Sequence, residues 1–231
     1  MNLMELELKK FKLKPHIKGI IISIICIIMF LTMSIVTTVS DPQQTKNTYE
    51  SIERMINLLV TGTFMVYSSV LMGKMVIGEY VNKTILIMFS YPVHKKRFIA
   101  TKLFMISVFT MISILIGFIF CTIYIILADY FFDALQGSFQ MQYIGSFIKR
   151  TITAMLIGGT CSLIPFIVGM KKRSISSTVV TSIIIVGLMQ PIMGRNPGVL
   201  EIIFKVGSIA LISLLMVVHT MNNDIGKLDN L

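Results

Sequence analysis

Charged side chains are scarce in this sequence, and their scarcity argues against an ordinary soluble domain. Only 14% of its 231 residues are charged, whereas 55% are hydrophobic and the mean hydropathy is +0.82. Soluble domains usually carry about 25% charged residues. The composition therefore indicates a membrane protein.

Acidic residues are the rarer of the two charge types, with 11 Asp and Glu against 21 Lys and Arg and a net charge of +10. A nucleic-acid-binding protein needs such charge on one face of a soluble fold, and the long apolar runs leave no room for that face. Excess Lys and Arg is typical of the cytoplasmic side of a membrane protein. The sequence thus predicts a bilayer protein with no nucleic-acid partner.

Cysteine is also rare. The three cysteines, Cys26, Cys121 and Cys161, all lie inside apolar runs. A free cysteine in such a place behaves as a small hydrophobic residue. We therefore expect these side chains to have a packing role and not to form a disulfide framework.

A nucleotide-binding loop is missing. That loop needs a glycine five residues before its Gly-Lys pair and a Ser or Thr after it. The pair Gly73-Lys74 has Ser68 at the first of these positions and Met75 at the second. The pair Gly226-Lys227 fails in the same way. Any ATP used with this protein must therefore bind to another chain.

Catalytic and metal motifs are missing as well. The three histidines, His16, His94 and His219, are far apart in the sequence, whereas a zinc site needs clustered ligands. No Gly-x-Ser-x-Gly or His-Glu-x-x-His motif occurs. No acid lies near the middle of an apolar run, which counts against a proton- or sodium-coupled carrier. We expect no catalytic residue, no metal site and no enzymatic activity in this chain.

Long apolar runs recur along the chain. Each is near the ~20 residues that cross ~30 Å of hydrocarbon. Because lipid offers no partner for backbone polar groups, each run must be helical. The sequence predicts an all-α membrane protein with six transmembrane helices, at residues 19–39, 56–77, 103–127, 151–170, 175–193 and 199–220.

The basic residues predict the orientation of these spans. With the N-terminus inside, the inner segments hold 15 basic residues and the outer segments hold six. Lys and Arg concentrate in cytoplasmic loops. Both termini are therefore predicted to lie in the cytoplasm.

The N-terminal segment 1–18 carries five lysines before the first span. We predict an interfacial helix over Met1–Leu13 that ends near Pro15, and a disordered basic tail is the alternative. Its candidate membrane-surface residues are Lys9, Lys10, Phe11 and Lys12.

The outer segments differ in character. Residues 40–55 form a short polar loop, whereas residues 128–150 are rich in Phe and Tyr. Aromatic rings favour the membrane–water interface. The second loop is therefore expected to lie on the outer leaflet or to dip into it.

The segment between spans two and three is the most distinctive. The stretch Lys74–Lys102 carries six basic residues, and Pro92 divides it. Its first half, Glu79–Ser90, can form a short helix with polar and apolar side chains. We interpret residues 78–102 as a docking surface for a cytoplasmic partner. Its candidate contact residues are Glu79, Tyr80, Asn82, Lys83 and Thr84.

Small and hydroxyl-bearing residues mark spans four and five. Gly158 and Gly159 allow helices to approach closely, and Pro165 should kink span four. The hydroxyls of span five favour helix packing, with a polar substrate path as the alternative. The candidate path residues are Thr178, Thr181, Ser182 and Gln190.

This layout resembles that of the ABC-2 type permeases. Gly78–Ile85 is similar to the family's coupling element, Tyr91–Lys102 to its lead into span three, and Glu5–Lys18 to its elbow helix. The small size resembles the branch for bacteriocin and bacitracin self-protection and for export of amphipathic peptide toxins. The chain departs from the family between spans five and six, where it has only a turn.

The resemblance implies a permease subunit in a bacterial cell membrane. It implies that two permease chains form the pathway and that two cytoplasmic ATPase subunits, which bind ATP and Mg²⁺, dock on the coupling segment 78–102. The substrate would be an antimicrobial or amphipathic peptide. Export of a lipid, a drug or sodium is an alternative, as is a membrane sensor or scaffold without transport. The absence of a catalytic cluster weakens a fourth hypothesis, a membrane enzyme.

Overall fold

A computed structural model of the protein describes residues 13–40, 48–78, 95–132, 141–193 and 199–221. These residues fold into helices, and no strand occurs among them, which confirms the all-α prediction. The helices are α1 (Leu13–Ser40), α2 (Tyr49–Met72), a π-helical turn (Gly73–Ile77), α3 (Lys95–Phe132), α4 (Met141–Cys161), α5 (Ile164–Lys172), α6 (Ile175–Met193) and α7 (Val199–Thr220).

Four stretches of the described helices are long and apolar enough to cross a membrane. Within α6 and α7, the described apolar stretches Ile175–Met189 and Val206–Thr220 are shorter than these four. The structure therefore supports a membrane protein with four candidate spans, and six spans stay a prediction. The four are His16–Thr37, Tyr49–Ile77, Phe98–Phe131 and Gly145–Lys172.

Several helices begin earlier or end later than the apolar runs predict. Helix α1 starts at Leu13 and includes Pro15, which a first helical turn tolerates because its N–H groups have no intrahelical acceptor. Helix α2 starts at Tyr49, and α3 covers Lys95–Phe132. Polar helix ends outside the hydrocarbon carry no hydropathy signal, so an apolar run underestimates the helix.

The aromatic outer loop shows the same effect. Residues 128–132 belong to α3, and residues 141–150 form the first turns of α4. Much of the predicted loop 128–150 is thus helical. Residues 133–140 lie outside the described part of the chain.

The predicted fourth span is divided. Helix α4 ends at Cys161, Ser162 and Leu163 form a turn, and α5 begins with Pro165 in its first turn. Proline lacks the N–H that would continue the hydrogen-bond ladder and clashes with the preceding turn. The kink predicted at Pro165 is therefore present as a helix break.

Helix α2 is the centre of the bundle. It packs against α3, α4 and α6, whereas α1 packs against α3 and α2. The α2 span is 61% buried and the α1 span only 28% buried. The outward isoleucines of α1 are therefore placed to face lipid, whereas α2 lies in the interior of the bundle.

Candidate functional site

Most of the predicted contact residues lie outside the described part of the chain. This applies to the coupling candidates Glu79, Tyr80, Asn82, Lys83 and Thr84 and to the elbow candidates Lys9, Lys10, Phe11 and Lys12. The structure does describe the two points where the chain enters and leaves residues 79–94, namely Gly78 and Lys95. We call the residues packed around these two points the junction.

A π-helical turn, Gly73–Ile77, forms the first part of the junction. The Gly78 N–H donates to the Gly73 carbonyl, five residues back, where an α-helix would use the carbonyl four residues back. Single π turns of this kind contain an extra residue and occur frequently at functional sites. This turn directly precedes the predicted docking segment.

Lys102 forms the second part of the junction. The sequence assigns it to the docking segment, but the structure places it on α3 with only 2% of its surface exposed. Its Nζ donates to the Met75 carbonyl at 3.2 Å and lies 4.6 Å from the centre of the Phe98 ring. A buried ammonium group is stable only when such partners replace water. Lys102 therefore ties the start of α3 to the π turn of α2.

An apolar cluster surrounds this link. Four helices, α2 with its π turn, α3, α5 and α7, supply most of its side chains, so they meet at the two points that flank residues 79–94. Tight interiors of this kind transmit displacement because they contain few voids. The buried members are Met72, Val76, Ile77, Ile99, Leu103, Ile106, Leu163, Phe166, Met170, Val217 and Met221.

Two glycines allow the helices of the junction to approach closely. A Cβ atom at Gly169 would lie 2.1 Å from Thr178 Cγ2 and 2.2 Å from Ile77 Cδ1. A Cβ atom at Gly73 would lie 2.6 Å from Ile175 Cγ2. Only a hydrogen fits at these positions, so α5 and α6 press directly on the π turn.

The predicted substrate-path residues lie partly in this packing. Thr178 and Ser182 are fully buried between α6 and α2. Ser182 Oγ lies 2.9 Å from Ser69 Oγ, and the Thr178 hydroxyl lies 3.5 Å from the Ser69 carbonyl. In this conformation both residues serve helix packing, which is the role that the sequence favours.

The other two candidates add little to a path. The Thr181 hydroxyl donates to the Ser177 carbonyl of its own helix at 2.6 Å. Gln190 lies on α6, but its side chain is outside the description. A substrate path along α6 stays a prediction.

A second polar contact lies towards the other end of α2. Glu53 Oε1 is 3.1 Å from Arg150 Nε, and the two side chains are only 10% and 5% exposed. Both residues fall in the outer loops that the sequence predicts, yet the structure places them on facing helices. Nearby, the Tyr49 hydroxyl donates to an Asp129 carboxylate oxygen. These contacts hold α2 to α3 and α4.

Within the described ranges, no group of three or more His, Cys, Asp or Glu side chains is placed to hold a metal ion. The junction offers instead a buried cation, a distorted helix turn and close helix contacts. Such an arrangement ties together the ends of α2 and α3 that flank residues 79–94.

Comparison with known proteins identifies the family. A family model described as "ABC-2 family transporter protein" matches residues 3–187, which is most of the chain. The chain belongs to the ABC-2 transporter family. Membrane subunits of this family normally work with an ATP-binding subunit and are not ATPases themselves.

This ABC-2 protein also has a relative of nearly the same length. It is 31% identical over 220 residues to "Uncharacterized protein YcbO" of Bacillus subtilis (strain 168), a match that covers 93% of this chain and 90% of the relative. No solved structure matches the chain. The ABC-2 match over residues 3–187 includes the π turn, Lys102 and both ends of residues 79–94. These parts of the junction therefore lie within the family region.

Proposed function

We propose that this protein is the membrane subunit of an ATP-driven exporter and that segment 78–102 docks on its ATPase. The observation that carries the proposal is the bond from Lys102 to the Met75 carbonyl. It joins the helix that enters the segment to the helix that leaves it. A push on the segment therefore acts on α2 and α3 together.

The packing of α2 supports a route for force transmission through the bundle. Helix α2 contacts α3, α4 and α6, so a displacement at its π turn reaches most of the bundle. Closely packed protein interiors do not deform continuously but shift between discrete arrangements. ATP-driven closure of the partner would thus move the helices between two states.

The ATPase, with its ATP and Mg²⁺, would be a separate cytoplasmic protein, because the sequence has no phosphate-binding loop. The family resemblance supports a second permease chain, identical or related, and a bacterial cell membrane. The lysine distribution supports both termini on the ATPase side.

The proposed substrate is an antimicrobial or amphipathic peptide, exported for self-protection or secretion. The support is the small size of the chain and its resemblance to the branch that handles such peptides. Export of a lipid, a drug or sodium is the alternative within the family, and a sensor or scaffold without transport is the alternative outside it.

The test is reconstitution of the chain, with the ATPase that co-purifies with it, in liposomes. We expect an amphipathic peptide to stimulate ATP hydrolysis. The same peptide, fluorescently labelled, should accumulate inside the liposomes whose permease has its cytoplasmic side outward, and only when ATP is added. Stable binding of an ATPase without transport of any tested peptide, lipid, drug or sodium would favour the scaffold. Purification without any ATP-binding protein from its native membrane would contradict the proposal.

A further inference from the structure

We propose that Lys102 is a positioning residue: it holds Gly73–Ile77 in the π register and thereby sets the direction in which the docking segment leaves α2. The register concerns this chain only and does not depend on an ATPase partner. Only its consequence for coupling rests on the proposed function.

The hydrogen bonds of the turn define the register. The Gly73 N–H still reaches the Ser69 carbonyl four residues back, as in an α-helix, and is shared with the Val70 carbonyl, whereas the Gly78 N–H reaches back five residues to Gly73. The change of register therefore falls between Gly73 and Gly78. In an α-helix each interior carbonyl accepts from the N–H four residues on, and a π turn interrupts that pattern.

Lys102 contacts the chain within this interval. Its Nζ donates to the carbonyl of Met75, at the middle of the turn, while its aliphatic stem lies among buried apolar side chains. A buried ammonium group needs a strong acceptor, and the Met75 carbonyl within the π turn supplies one. The charge and the turn therefore stabilise each other.

The opposite side of the turn is held by steric contact. Ile175 presses on Gly73, and Ile77 presses on Gly169. These contacts fix where the turn lies but donate nothing to its carbonyls. Lys102 supplies a side-chain hydrogen bond to the backbone of this turn.

The register decides where the chain points. A π turn contains one residue more than the α-helical turn it replaces, and one residue of an α-helix corresponds to ~100° of rotation and ~1.5 Å of rise. If the turn relaxed to α geometry, Gly78 and the segment after it would rotate by about that angle around α2. The predicted docking segment would leave α2 in a different direction, which is the consequence that rests on the proposed function.

Two cysteine pairs that share one member measure the register directly. The parent is the chain with Cys26, Cys121 and Cys161 replaced by Ala. The reporter pair is Gly78→Cys with Ile175→Cys, because a Cβ at Gly78 lies 3.8 Å from Ile175 Cδ1, beyond the turn. The control pair is Gly73→Cys with Ile175→Cys, at the first residue of the turn, where the N–H still bonds to Ser69 and the Cβ atoms would be 3.4 Å apart.

Both pairs are treated in isolated membranes with a short bifunctional thiol reagent, with no ATPase present. Lys102→Met removes the ammonium group and keeps the length of the side chain. We expect it to lower cross-linking of the reporter pair by about tenfold, the shift that loss of one charged hydrogen bond produces, and to leave the control pair unchanged. Lys102→Arg restores a cationic donor and should return most of the reporter signal.

Two outcomes would overturn the proposal. Equal reporter cross-linking in Lys102→Met and the parent would show that packing alone holds the turn. Loss of both pairs together would make Lys102 a general packing residue without a specific effect on register. Neither outcome bears on ATPase docking, so failure of the register proposal is distinguishable from failure of the exporter proposal.

Discussion

Glu53 on α2 and Arg150 on α4 form an ion pair inside the helix bundle, with 3.1 Å between Oε1 and Nε. On the same helix, Glu50 and Arg54 form a second pair at 2.7 Å, but their side chains are 42% and 52% exposed. The two pairs have the same chemistry and differ in burial. They therefore separate the effect of burial from the effect of charge.

Removal of one charge from the buried pair should be strongly destabilising. Glu53→Gln removes the carboxylate that lies against the buried Arg150 guanidinium, and breaking a buried pair costs about 3–5 kcal/mol. We expect poor yield and a clearly lower melting temperature of the purified protein in detergent. The matched control, Glu50→Gln, breaks the exposed pair and should cost only about 0–1 kcal/mol.

Replacement of both buried partners should restore much of the loss. The double variant Glu53→Leu with Arg150→Met removes both charges and fills the space with apolar side chains, a change that is often neutral or better. A double variant that melts as low as Glu53→Gln would argue that the ion pair itself, and not the avoidance of a lone charge, holds α2 to α4.

Gly169 predicts a steric effect at the junction. Gly169→Ala would place a methyl group in conflict with Thr178 and Ile77, and overpacking of this kind costs about 1–3 kcal/mol. Gly187→Ala on α6 is the control, because nothing lies within 4 Å of its Cβ position. We expect thermal melting to fall for the first variant and to hold or rise slightly for the second. Equal melting temperatures would show that α5 and α6 can separate at the junction without loss.

The apolar runs predict much of this fold, because hydropathy depends only on which residues are neighbours in sequence. They locate the helical parts of the spans, and Pro165 correctly marks a break. Helix ends are less predictable, since Tyr49 and Lys95 start helices from polar sequence that gives no hydropathy signal.

The site is harder to predict than the fold. The link from Lys102 to Met75 and the pair of Glu53 with Arg150 join residues from different helices. A single sequence records no such pairing, so Lys102 is grouped with the loop lysines and Glu53 with the outer loop. The sequence offers one signal of its burial: Lys102 directly precedes the apolar run that begins at Leu103.

The lysine-rich segments predict the orientation in the membrane. Single cysteines at Lys96 and Lys172, in a chain without native cysteines, should react with a membrane-impermeant maleimide only from the cytoplasmic side. A cysteine at Asn47 should react only from outside. Lys172 is exposed at the end of α5, so access to it is not limited by packing. Labelling of Lys96→Cys in intact cells would contradict the predicted orientation, which is based on the distribution of basic residues.

Glu79 tests the docking surface itself. It is the first residue after the junction, and its carboxylate has two candidate roles: to cap the short helix predicted over Glu79–Ser90, or to pair with a cation on the ATPase. Glu79→Gln keeps the shape and much of the capping ability but removes the charge. If the carboxylate pairs across a buried interface, the variant leaves the partner's cation alone and weakens the complex by about 2–5 kcal/mol.

We therefore expect Glu79→Gln to lower transport-linked ATP hydrolysis while the chain still inserts and melts normally. Affinity for the ATPase, measured by titration in nanodiscs, should fall in parallel. Glu50→Gln, an acid-to-amide change at the opposite end of α2, is the control and should leave both quantities unchanged. A Glu79→Gln complex that assembles and pumps as well as the parent would limit Glu79 to capping. Its role would then be local: a cap of the predicted short helix, or a pair with Lys83 worth only ~0.3–0.5 kcal/mol.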